Sequence, residues 1–129
     1  MKTSLLFLLV CISCLCCFSC KKNSDSEPQG VTIRIKNASP YQFESVYVNT
    51  SGGENNYGAL AAGQSTPYLG GYKLAYNYAY IKVIINGEEL VLQPIDYVGE
   101  TPIKKGSCTY IIGVADLGRK GLSLQFEKP

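Results

Sequence analysis

From residue 31 onward, apolar side chains fall at every second position in short bursts, and turn residues end each burst before a helical period can develop. Val31, Ile33 and Ile35 alternate with Thr32, Arg34 and Lys36; Leu122, Leu124 and Phe126 alternate with Ser123, Gln125 and Glu127. A period of two puts alternate side chains on opposite faces, so each burst reads as a strand with one buried face. Further strands are expected over residues 43–49, 57–60, 66–69, 76–85, 89–93 and 108–115. Between them lie Asn37-Ala38-Ser39-Pro40, Ser51-Gly52-Gly53, Ala62-Gly63-Gln64 and residues 118–121, all rich in turn formers. Asn86-Gly87, set between two apolar runs, predicts a tight hairpin in which both turn residues take positive φ. Seven or eight short strands in residues 31–129 predict one all-β domain, an antiparallel β-sandwich of immunoglobulin-like or transthyretin-like type. A lipocalin-like barrel is the next arrangement, but enclosing a ligand cavity usually takes a longer chain.

Ahead of this domain the chain changes character. Lys2 precedes a nearly continuous apolar run over residues 5–18, the layout of a secretory signal. As a helix those fourteen residues would reach about 21 Å, short of the ~30 Å hydrocarbon core, which disfavours a permanent span. Residues 21–30 are polar, with Asp25, Glu27 and Pro28, and read as a flexible tether. The expected organisation is a signal peptide over 1–19, a modified Cys20 with its tether over 20–30, and the sandwich over 31–129.

Five of the six cysteines, Cys11, Cys14, Cys16, Cys17 and Cys20, fall within the first twenty residues. C-x-x-C spacing occurs at Cys11–Cys14 and at Cys17–Cys20, but these cysteines sit in the apolar run rather than at a solvated site, and the chain has no histidine. In that setting free cysteines pack as small hydrophobes. Ser19-Cys20 at the edge of the run resembles the lipobox of bacterial lipoproteins, in which the cysteine after the cut is lipidated on sulfur. That pattern usually has Leu three places upstream, where this chain has Cys17 followed by Phe18. Ser13-Cys14 is a second junction, but a cut there leaves residues 15–18 as an apolar stub. Cys20 is therefore the expected lipidation site, giving a membrane attachment through its lipid. Asp25 and Glu27 also resemble, with Ser26 between them and lysines first, the export signal that places Bacteroides-group lipoproteins on the cell surface. The alternative is an ordinary solvated spacer.

With Cys20 modified, only Cys108 remains as a thiol, so the domain is expected to fold without a disulfide and to bury Cys108 as an inert side chain. Removing residues 1–19 takes away one lysine and leaves the charges balanced to within one. No basic stripe of the kind nucleic acid requires is present, so no nucleic-acid partner is expected.

Several stretches carry a resemblance: Val48-Asn49-Thr50-Ser51-Gly52-Gly53, Leu60-Ala61-Ala62-Gly63, Tyr78-Ala79-Tyr80-Ile81, residues 92–100 and Thr109-Tyr110. Together they cover most of the mature chain and resemble small uncharacterised lipoproteins of the Bacteroides group. The resemblance implies a one-domain β-sandwich on a lipid anchor; the expected location is the outer membrane. It implies no activity and no site residues.

Enzyme chemistry is poorly supplied. Without histidine a Ser-His or Cys-His pair is impossible. Glu88 and Glu89 are adjacent and point to opposite faces of a strand, so they do not converge. Asp96 and Glu100 share a loop with Pro94, Gly99 and Pro102, but two carboxylates are few oxygens for calcium. No catalytic residue, metal site or cofactor is therefore expected. Asn37-Ala38-Ser39 and Asn49-Thr50-Ser51 match the glycan-acceptor pattern but read better as turn chemistry.

What remains is an aromatic stripe. On a strand over 76–85, Tyr76, Tyr78, Tyr80 and Lys82 share one face, with Tyr72 and Tyr68 near it; Ala79, Ile81, Val83 and Ile85 face the core. Tyrosine offers a broad apolar face and a polar tip, which suits sugar stacking and protein contact alike. Exposed sheet faces also carry aromatics simply for cross-strand packing. Two kinds of function fit: a tethered binding or adhesion module or accessory subunit that meets a glycan or an envelope protein, and a structural component that docks another envelope protein without a soluble ligand.

Overall fold

The computed structural model describes residues 30–129. The expected signal segment, Cys20 and the tether up to residue 29 lie outside the described residues. Eight strands follow in order: β1 (Gly30–Asn37), β2 (Ser45–Asn49), β3 (Glu54–Asn56), β4 (Leu69–Tyr72), β5 (Tyr80–Ile85), β6 (Glu88–Leu92), β7 (Lys105–Asp116) and β8 (Gly121–Glu127). They form two four-stranded sheets, β4-β1-β7-β8 and β3-β2-β5-β6. No helix occurs among the described residues.

The second sheet is antiparallel throughout. In the first, β1 and β7 run parallel in unbroken register from Gly30 opposite Lys105 to Asn37 opposite Ile112. The expectation of a wholly antiparallel arrangement is corrected here. Period-two patterning fixes which face of a strand is buried, not its direction. The chain builds the whole second sheet between β1 and β7, then returns at the end where β1 began and runs beside it the same way.

Alternation explains the core. Val31, Ile33 and Ile35 of β1 and Ile81, Val83 and Ile85 of β5 are buried, while the residues between them are half-buried or exposed. Inward residues of both sheets belong to one buried cluster with Phe43, Leu90, Tyr110 and Ile112. Cys108 is a free thiol inside it, and burial pushes its pKa up to about 11, so it stays protonated at neutral pH. The Asn86-Gly87 hairpin forms as expected, with φ of 51° and 74°, between Ile85 and its partner Glu88.

Several strands are shorter or displaced from their expected spans. Residues 57–60 follow the line of β2 without forming a regular strand: Tyr57 donates to the Val46 carbonyl (2.8 Å), Val46 donates to the Gly58 carbonyl (3.1 Å), and Leu60 bridges Phe43. Residues 66–69 only lead into β4, and β5 starts at Tyr80 rather than at residue 76. In the segment between β4 and β5, Ala75 and Ala79 are fully buried although they lie outside the named strands, Ala75 through an isolated bridge to Ile103.

Polar groups inside are satisfied. Asn37, fully buried, gives its amide protons to the carbonyls of Tyr41 (2.8 Å) and Leu60 (3.1 Å) and takes bonds from the Ser39 amide (2.9 Å) and hydroxyl (2.7 Å). It is a buried turn-former, as its sequence context suggested. Asn49 likewise accepts from the Ser51 amide at 2.8 Å. The two sheets approach at both sides: Asn55 donates to the Gly70 carbonyl (2.8 Å) between β3 and β4, and Lys120 meets Glu88 at 3.6 Å near the β5–β6 hairpin.

Candidate functional site

The outer face of the β3-β2-β5-β6 sheet carries Tyr47 on β2 and Tyr80 on β5. Register explains their proximity, since Tyr47 lies opposite Lys82 and Tyr80 opposite Asn49. Their rings meet edge to face, centroids 6.1 Å apart with planes at 74°. The Tyr47 hydroxyl donates to the Glu54 carboxylate, which raises its pKa above the ordinary tyrosine value, and the Asn49 amide reaches the same carboxylate at 3.2 Å. Lys82 lies 5.8 Å from the centre of the Tyr47 ring and 3.7 Å from Glu89 on β6. Two aromatic surfaces are thus presented on a sheet wall, ringed by amide, carboxylate and ammonium groups.

A second cluster sits at the end of the sheets. Tyr76 and Tyr78, in the segment before β5, both stack on Tyr97 from the β6–β7 loop, with centroids 4.4 Å and 5.4 Å apart and planes 23° and 12° apart. The Tyr78 hydroxyl donates to the Asp96 carbonyl at 3.2 Å. The Tyr76 carbonyl accepts from the buried Tyr110 hydroxyl at 2.7 Å, which ties this segment to β7.

The expected single stripe is therefore divided. Tyr80 faces outward on the strand with Lys82, and Ala79, Ile81, Val83 and Ile85 form the inner face, as the alternation implied. Tyr76 and Tyr78 belong instead to the end cluster, because the ladder begins only at Tyr80. Tyr72 is buried against Tyr57 in the interior. Tyr68 lies by the other sheet, under the Arg34 guanidinium at 5.1 Å. Tyr47 and Tyr97 were not anticipated as site residues. Tyr47 is legible in hindsight from the outward phase of β2, whereas nothing local marks Tyr97 as the partner of residues some twenty positions earlier.

The carboxylates do not assemble a reactive centre. Glu88 pairs with Lys120 and Glu89 with Lys82, on opposite faces of β6. The Asp96 carboxylate accepts from the Val98 amide at 3.2 Å, closing a turn. No group of three or more potential metal-ligating side chains occurs among the described residues.

No protein-family model and no curated protein matches the chain. Among solved structures it is similar to an NMR structure of a protein from Eubacterium rectale, at 14% identity with a TM-score of 0.54, over 83% of this chain and 95% of that one. At that identity the similarity speaks to the all-β fold and to nothing finer.

Proposed function

We propose that this is a lipid-anchored cell-envelope protein, of the kind found in the Bacteroides group, whose domain is a non-enzymatic binding module at the outer membrane. The anchor reading rests on the Ser19-Cys20 junction between the apolar run and the tether. The binding reading rests on one observation: Tyr47 and Tyr80 stand together on a sheet wall with Asn49, Glu54 and Lys82 at their rim. Flat aromatic surfaces bordered by hydrogen-bonding groups suit a sugar, whose apolar face stacks and whose hydroxyls are bonded at the edge. The ligand class we favour is a glycan of the envelope or its surroundings.

For the fold, we infer the transthyretin-like arrangement over the immunoglobulin-like one. In the constant-type immunoglobulin domain the first two strands share a sheet. Here β1 pairs with β4 and β7 while β2 lies in the opposite sheet.

Co-sedimentation with a panel of insoluble polysaccharides tests the binding reading. The parent domain should pellet with at least one, and Tyr47→Ala with Tyr80→Ala should abolish pelleting while leaving the unfolding midpoint close to the parent's. The structural-component reading is favoured by Val91, 37% exposed and in register with Lys82 on the same face. It expects one envelope protein to co-purify, and that complex to depend on Val91 with no polysaccharide bound.

A further inference from the structure

We propose that the end of the domain where the N-terminal segment enters docks onto a lipid bilayer, with Ile95 and Val98 inserting at the headgroup–acyl boundary. The inference takes the lipid on Cys20 as its starting point and so rests on the anchor reading.

Ile95 is 100% exposed and Val98 is 87% exposed. Single exposed apolar side chains are ordinary on protein surfaces. These two lie three residues apart on one loop tip, and the tip is fixed. The Asp96 carboxylate closes the turn onto the Val98 amide at 3.2 Å, the Tyr78 hydroxyl holds the Asp96 carbonyl at 3.2 Å, and Tyr97 is stacked on Tyr76 and Tyr78. The fold thus presents two apolar side chains to the outside on a braced support.

Position names the occupant. The tip belongs to the loop between Leu92 and Lys105, and Lys105 lies in register beside Gly30, where the described chain begins. Residues 21–29 separate that point from Cys20, and nine residues span at most about 30 Å. A domain on so short a lead stays within about its own width of the bilayer, with this end nearest. Tyrosines behind the tip suit the headgroup level, where amphipathic rings collect. Charges of both signs meet at this end, Lys73, Lys104, Lys105 and Lys128 with Glu54, Asp96 and Glu100, so the apolar tip rather than charge of one sign carries the contact. A two-residue tip is far smaller than the ~800 Å² per partner of a standard protein interface, whereas insertion needs no complementary surface.

The test uses the mature lipidated protein in vesicles of phosphatidylethanolamine and phosphatidylglycerol, with an environment-sensitive dye on Val98→Cys or, as control, on Ala62→Cys at the far end; Cys108 is buried and Cys20 blocked. Dye at position 98 should be quenched about two-fold or more by lipids carrying a quencher near the headgroup, unchanged at high salt, and dye at position 62 should not. Co-flotation with no quenching at 98, or with equal quenching at 62, overturns the docking while leaving the anchor intact. Failure to float with the vesicles overturns the anchor and the docking with it. Shielding at 98 that appears in native membranes and not in pure lipid overturns it in favour of a protein partner.

Discussion

The Tyr57 hydroxyl lies 2.9 Å from the Tyr72 hydroxyl, joining the segment after β3 to β4 of the opposite sheet across the interior. Tyr57 also donates to the Ile33 carbonyl at 3.0 Å, so one side chain reaches a central strand and an edge strand of the far sheet. Replacing Tyr57 by Phe keeps the ring but removes the hydroxyl that bonds both the Ile33 carbonyl and the Tyr72 hydroxyl. The expected cost is about 1–2 kcal/mol in urea unfolding. An unchanged midpoint would mean that the pair adds nothing to what ring packing already supplies.

Alkaline pH should unfold the domain. Burial raises the hydroxyl pKa values of Tyr57, Tyr72 and Tyr110 above the ordinary value, and burial lifts the Cys108 thiol to about 11. Each group is held protonated in the folded chain and released in the unfolded one. Their contribution to stability is therefore complete below the unfolded pKa values, about 8.5 for Cys and about 10 for Tyr, and is lost as pH rises beyond them. Tyrosinate absorbance should show these tyrosines ionising only together with the loss of β-sheet circular dichroism. Smooth titration of all ten tyrosines with the fold intact would contradict this.

Cys108→Ala should cost about 1–2 kcal/mol by leaving a small cavity in the cluster, and a reducing agent should leave the unfolding midpoint where it is. A stability loss on reduction would reveal a covalent crosslink.

Gly53 should resist substitution. A Cβ there would lie 2.4 Å from the Gly71 carbonyl oxygen, so the turn after β2 must withdraw from β4 to admit it. Gly53→Ala is expected to cost about 1–3 kcal/mol, read as a lowered urea midpoint. Gly63→Ala, where a Cβ would meet nothing within 4 Å, bears only the strain of its positive φ and should cost less. The opposite ranking would refute the close approach.

Much of the architecture was legible because period-two patterning and turn chemistry are local. β1, β8 and the Asn86-Gly87 hairpin follow directly from neighbouring residues. Strand direction was not legible: nothing near Val31 or Cys108 says that β1 and β7 run parallel, since that depends on the path of the chain between them. The tyrosine stripe failed for a related reason. Alternation identified Tyr80 and its buried neighbours correctly, but the ladder stops at Tyr80, and stacking on Tyr97, a contact distant in sequence, claims Tyr76 and Tyr78.

The proposal that the Tyr47–Tyr80 wall is the contact surface meets its most direct test in intact cells. A photo-crosslinking phenylalanine analogue would replace Tyr80 and, as control, Tyr68 on the other sheet. One discrete adduct from position 80, sensitive to glycosidase and absent from position 68, is the expected result. Equal adducts from both positions, or none from position 80 in cells that carry the folded protein at the envelope, would contradict it.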